Sequence, residues 1–115
     1  PPIKGVSYSG CGWLLTFHAG ATDVLQQEGI LNDQSCYYGV SGGSIVAVAS
    51  ALGFEPNKLL EVVFSVFDEI PRGFRIWGAV DGILQEKFDH YFPDDAHEIC
   101  SGRVGVSVFR VWPSP

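Results

Sequence analysis

The sequence predicts an α/β fold in which helices are layered on a parallel sheet. Three observations carry that expectation. Short apolar runs alternate with helix-length amphipathic segments in the order β-α-β-α-α-α-β, without internal repeats or linkers. Two of the strand-to-helix junctions are glycine clusters, Ser9-Gly10-Cys11-Gly12 and Gly39-Val40-Ser41-Gly42-Gly43. The 115 residues are 46% hydrophobic, enough for the core of one small domain, and this excludes a disordered chain.

The elements follow in order. Ile3 to Ser9 reads as a first strand ending in the Gly10-Cys11-Gly12 cluster. A helix from about Trp13 to Glu28 places Leu14, Phe17, His18, Ala21, Val24 and Leu25 on one face, and Gly29 stands where a left-handed cap belongs. Asn32 to Ser35 is a polar turn. Cys36 to Val40 is a short buried strand, and an Ala/Val/Ile-rich helix runs from Gly42 to about Leu52, stopped by Gly53. Pro56 opens a helix with Leu59, Leu60, Val63, Phe64 and Phe67 on one face, and Pro71 ends it. Asp81 is expected as the N-cap of a helix over Gly82 to Phe92, with Ile83, Leu84, Phe88, Tyr91 and Phe92 as its stripe. Pro93-Asp94-Asp95 starts one more helical turn, and Val104 to Val111 alternates as a third strand.

Composition and charge narrow the function. The net charge is −6 and no basic cluster exists, so the counterion-releasing patch that nucleic acid requires is absent. Cys11, Cys36 and Cys100 are odd in number and lack C-x-x-C spacing, which argues for buried, reduced thiols in a cytosolic protein rather than disulfides or zinc. Gln34 to Phe54 carries no charge over 21 residues, the length a bilayer requires. Its helical part, Gly42 to Phe54, spans only about 20 Å at 1.5 Å per residue and is read as a buried core helix. The apolar content is high for so short a chain, and no methionine is present. Residues 3–115 are therefore expected to be the front portion of a larger domain, truncated after the third strand.

Chemistry concentrates at the two glycine junctions. Gly39-Val40-Ser41-Gly42-Gly43 is a G-x-S-x-G between strand and helix. Such a corner raises the serine hydroxyl, Gly39 and Gly43 avoid side-chain clashes, and the new helix aims free N–H groups at developing negative charge. The Gly10-Cys11-Gly12 loop lets successive N–H groups converge on an anion. It is no dinucleotide fingerprint, because position 15 is leucine rather than glycine. In a parallel sheet both junctions face one end, one able to present a nucleophile and the other an oxyanion hole.

Ser9-Gly10-Cys11-Gly12-Trp13-Leu14, followed by Tyr38-Gly39-Val40-Ser41-Gly42-Gly43, resembles the patatin-like phospholipase domain, in the branch of adipose triglyceride lipase and adiponutrin. Phe92 to Ser107 also resembles that branch, where an acidic-His-Glu turn leads into a Ser-Gly-Arg strand. The resemblance implies a serine lipid acyl hydrolase with Ser41 as nucleophile and Gly10, Cys11 and Gly12 as oxyanion hole. It implies a Ser-Asp dyad, no metal and no cofactor, an acylated lipid substrate, and a cytosolic protein peripheral to a membrane or lipid droplet. The family's catalytic Asp lies in an Asp-Gly-Gly or Asp-Gly-Ala motif beyond the third strand, which these residues lack. Asp81-Gly82-Ile83 is a decoy, only 40 residues after Ser41.

Two other readings stand beside this one. A Ser-Asp-His triad of Ser41, Asp81 or Asp89, and His97 has the chain order of an α/β-hydrolase, but too few strands precede the serine. A non-catalytic lipid-associated module needs no base at all. His18 is read as a hydrogen-bonded core residue, and His90 and His97 as part of a solvated acidic turn. Trp13 suits a core position or a lipid surface equally.

Overall fold

The computed structural model describes residues 4–70, 76–109 and 111. Strands β1 (Gly5–Tyr8), β2 (Cys36–Gly39) and β3 (Val104–Val106) form one sheet in that order, with both pairings parallel. A 3₁₀ turn (Gly12–Leu14) leads into α1 (Leu15–Gln27) between the first two strands. Helices α2 (Gly42–Ala51), α3 (Pro56–Glu69), α4 (Ile76–Tyr91) and α5 (Ala96–Cys100) lie between the second and third. The α/β parallel-sheet expectation holds.

Helix α2 is the centre of the molecule. It packs on all three strands, and Val46 and Ala47 are completely buried, with Tyr37, Leu15 and Tyr8 around them. Full burial of a side chain such as Val46 contributes about 1.5–3 kcal/mol. The uncharged stretch 34–54 is thus divided among β2, the corner at Ser41 and α2. Among the described residues no helix is long and apolar enough to cross a membrane. Arg103 ties the start of β3 to the end of α2: its Nε donates to the Ser35 carbonyl at 3.4 Å and its Nη1 to the Ala51 carbonyl at 3.3 Å. A cation there satisfies a terminal helix carbonyl.

Several expectations need correction. Helix α1 buries Leu15, Ala19 and Thr22, whereas Leu14 and Phe17 are 73% and 77% exposed. The helix is apolar on two faces, and the one with the smaller residues approaches the alanine-rich α2. Thr22 is tolerated inside because its Oγ1 donates to the His18 carbonyl at 2.8 Å and bonds the Tyr8 hydroxyl. Helix α3 likewise turns Leu59, Val62, Val63 and Val66 inward and leaves Phe64 and Phe67 exposed. Asp81 is not a cap but an exposed residue inside α4. Ile76 and Val80 extend the apolar period one turn before it, so the helix begins earlier than the capping signal.

Strand β3 ends at Val106 rather than Val111, and Val108 and Phe109 are 86% and 90% exposed. The Ser107 N–H still donates to the Gly39 carbonyl at 3.0 Å. Beyond that point β2 has turned away at Ser41, which leaves nothing in the sheet for Val108 to pair with. Cys11, Cys36 and Cys100 are free but half-buried rather than buried. The stop expected at Pro71 lies outside the described residues.

Candidate active site

Parallel pairing brings the two glycine junctions to one end of the sheet. Tyr8 and Gly39 are partners in register, and the Val40 N–H donates to the Tyr8 carbonyl at 3.2 Å, so the strands stay in step up to the corner. Ser41 then takes φ 54° and ψ −127°, the only positive φ of a non-glycine residue among those described. That conformation costs of order 1–3 kcal/mol and persists only where its surroundings enforce it. The enforcing bonds are local. Gly43 N–H donates to the Val40 carbonyl at 2.9 Å, and the N–H and Oγ of Ser44 both donate to the Ser41 carbonyl, at 2.9 and 2.5 Å. Ser41 itself is exposed.

Two glycines make the corner sterically possible. A methyl group on Gly43 would stand 2.6 Å from the Ser9 carbonyl oxygen and 2.7 Å from that of Tyr8. One on Gly39 would collide with the Gly43 backbone and come within 2.5 Å of the Ser44 nitrogen. The helix therefore starts hard against the ends of β1 and β2, closer than any side chain allows.

The loop after β1 lies against this corner. A methyl on Gly10 would sit 3.7 Å from Ser41 Cβ, in ordinary van der Waals contact. Gly12 has φ 53°, and Leu14 N–H closes the 3₁₀ turn on the Cys11 carbonyl at 3.0 Å. Among the described residues no hydrogen bond engages the N–H of Gly10, Cys11 or Gly12. These three backbone donors lie on the loop that borders Ser41 and the first turn of α2, and free N–H groups and a helix N-terminus both favour negative charge. Burial pushes the Cys11 thiol above its ordinary value of 9.0, so it stays neutral at physiological pH and adds no opposing charge. Alkylation of Cys11, followed by peptide mass spectrometry, should therefore be slow at pH 8 and keep accelerating above pH 9. A plateau near pH 8 would contradict this reading.

From Ser41 a cavity of about 320 Å³ opens between α2 and α4. Gly12 and Trp13 form its loop side, and Ile45, Val80, Leu84 and Phe88 its walls. Among the described residues that line it, none carries a carboxylate or an imidazole. Trp13 lines this cavity and packs against Phe67, with ring centroids 4.3 Å apart and planes tilted by 40°.

The remaining candidates lie elsewhere. Asp89 and His97 share a separate depression beside Phe88 and Pro93 that Ser41 does not line, so the proposed triad is not assembled. His97 is exposed next to Glu98, and among the described residues no cluster of three or more His, Cys, Asp or Glu could hold a metal ion. His18 is half-buried, and its Nε2 lies 3.2 Å from the Ser9 carbonyl oxygen. Sequence reasoning missed the part of α4 in the cavity wall, and it missed Ser44. A serine three residues after a candidate nucleophile was the available signal for Ser44.

Comparison with known proteins identifies the family. The sequence model described as Patatin-like phospholipase matches residues 6–112. The chain is 28% identical to the mouse protein named 1-acylglycerol-3-phosphate O-acyltransferase Pnpla3, over 92% of this chain and 27% of that protein. It is 31% identical to human patatin-like phospholipase domain-containing protein 4, over 90% of this chain and 44% of that one. A mouse omega-hydroxyceramide transacylase is 28% identical, over 92% of this chain and 19% of its own length. The chain spans about a quarter of the length of the first of these relatives, and no solved structure matches it. By the extent of the match and the paired glycine junctions at one end of a parallel sheet, the chain belongs to the patatin-like phospholipase family.

Proposed function

We propose that these residues carry the nucleophile and the oxyanion hole of a serine lipid acyl hydrolase. The carrying observation is one juxtaposition: an exposed serine on a strained corner, a bordering glycine loop whose N–H groups have no partner among the described residues, and an apolar cavity lined by Ser41 and Gly12. Ser41 Oγ attacks the ester carbonyl carbon while its proton passes to a carboxylate. The oxyanion rests on the N–H groups of the Gly10-Cys11-Gly12 loop. Collapse expels the alcohol, which takes up the proton, and leaves an acyl group on Ser41. Water then attacks the acyl-enzyme and releases the fatty acid. Among the described residues that line the cavity none offers a base, and the family resemblance puts the dyad's Asp in an Asp-Gly-Gly or Asp-Gly-Ala motif, which this sequence does not contain. Gly39 and Gly43 serve the corner, and neither metal nor cofactor takes part.

The cavity suits one acyl chain. A cavity of about 150 Å³ holds benzene, so 320 Å³ corresponds to a chain of roughly twelve carbons. The complete protein is expected to hydrolyse emulsified triacylglycerol or phospholipid, and failure on every acylated lipid would favour the non-catalytic module. Leu84→Trp should lower kcat/KM on long-chain esters about tenfold relative to four-carbon esters, since each excluded methylene forfeits about 0.8 kcal/mol. An unchanged chain-length profile would remove α4 from the acyl site.

Acyl transfer is a second reading, favoured by the relatives named O-acyltransferase and transacylase. A lipid alcohol then replaces water at the acyl-enzyme, and adding an acylglycerol acceptor yields a new ester at the expense of free fatty acid. For either reaction we expect the protein to work at a membrane or droplet surface, where a water-insoluble acylated lipid resides.

A further inference from the structure

We propose that His18 is a positioning residue that orients the first donor of the oxyanion hole, an inference that rests on the acyl-hydrolase reading. A carbonyl oxygen only accepts hydrogen bonds, so the contact of 3.2 Å between His18 Nε2 and Ser9 O assigns the hydrogen to Nε2. The Ser9 carbonyl and the Gly10 N–H belong to the same planar peptide group and point in opposite directions. Holding the oxygen therefore holds the N–H. Gly10 is also the loop residue whose added methyl would touch Ser41 Cβ. The tether thus acts on the peptide of a loop residue that borders Ser41.

The ring is itself held in place. It packs on Tyr8, with centroids 5.3 Å apart and planes 52° apart, and meets the Phe17 ring edge-on at 6.3 Å. The His18 carbonyl accepts from Thr22 Oγ1 at 2.8 Å, and Thr22 bonds the Tyr8 hydroxyl. Tyr8 is the last residue of β1, and His18 and Thr22 are successive turns of α1. Strand, helix and loop are locked through one imidazole. With Nε2 committed as a donor, His18 does not take the Ser41 proton through that atom. Its role runs through the Ser9–Gly10 peptide.

The test compares His18→Phe, which keeps a ring and loses the donor, with His18→Gln, whose side-chain N–H can reach the same carbonyl. Both are made in the complete protein, labelled with ¹⁵N-glycine, and assayed on a short-chain ester. His18→Phe should displace the Gly10 amide resonance and lower kcat roughly 10–100-fold, with KM within about twofold, the scale of losing one oxyanion donor or its support. His18→Gln should leave that resonance near its original position and recover kcat to within about threefold. An unmoved Gly10 resonance in His18→Phe, unchanged hydrolysis, or equal losses in both variants would overturn the proposal. Wild-type protein that cleaves no ester would overturn the catalytic reading instead, and the Gly10 resonance would still decide whether the tether exists.

Discussion

Replacing Ser41 with alanine in the complete protein is expected to lower ester hydrolysis by at least ~10⁴-fold, because the acyl-enzyme is proposed to form on its hydroxyl. Folding should barely notice. Ser41 is exposed, and the bonds that hold its corner use its carbonyl rather than its hydroxyl. Alanine has the same Cβ and suffers the same backbone strain, so the melting temperature should stay within about 2 °C, the effect of a surface change below ~0.5 kcal/mol. Ser41→Gly separates the two quantities further. It should be as inactive as alanine yet more stable by about 1 kcal/mol, since glycine accepts φ 54° without strain. Residual activity above about 1% in Ser41→Ala would place the nucleophile elsewhere.

The second large effect concerns Gly43. Adding one methyl there meets two carbonyl oxygens at 2.6 and 2.7 Å and Tyr8 Cβ at 2.8 Å, all on β1 or just after it. Backbone cannot swing aside as a long side chain can, so α2 must move away from the sheet. Because α2 buries Val46 and Ala47 completely, the displacement is expected to destabilise Gly43→Ala by about 3–5 kcal/mol. Calorimetry of the complete protein should show a melting temperature lower by about 10 °C, or no soluble product. Ester hydrolysis should fall at least ~100-fold in any folded fraction, because the corner and the glycine loop would no longer meet. Wild-type stability and activity in Gly43→Ala would mean that the strand ends do not approach α2 as described.

Much of this architecture was legible from the residues, and the failures share a physical cause. The succession of strands and helices along the chain, the glycine stops at Gly29 and Gly53 and the corner at Ser41 depend on local backbone preferences that a sequence carries directly. The buried faces of α1 and α3 do not. Both helices are apolar on more than one side, and the neighbour decides which side turns inward. The face of α1 that meets the alanine-rich α2 is Leu15, Ala19 and Thr22, and Phe17 and the preceding Leu14 turn outward. Asp81 misled for the same reason, since a good capping residue gave way to an apolar period that began one turn earlier. Strand β3 is short because its partner turns off at Ser41. At the site, the glycine loop and Ser41 could be paired in advance because parallel strands must end together. The contribution of α4 to the cavity and the bond from His18 to Ser9 arise from tertiary packing, and no spacing announces them.

The central claim is that the Ser41 hydroxyl is a nucleophile served by the glycine loop. The most direct measurement is to treat the complete protein with an alkyl fluorophosphonate, which is attacked as an ester is, and to map the adduct by peptide mass spectrometry. A single stoichiometric phosphonyl adduct on Ser41 is expected, formed slowly or not at all in Gly43→Ala. An adduct on another residue, or native protein that stays unmodified, would contradict it.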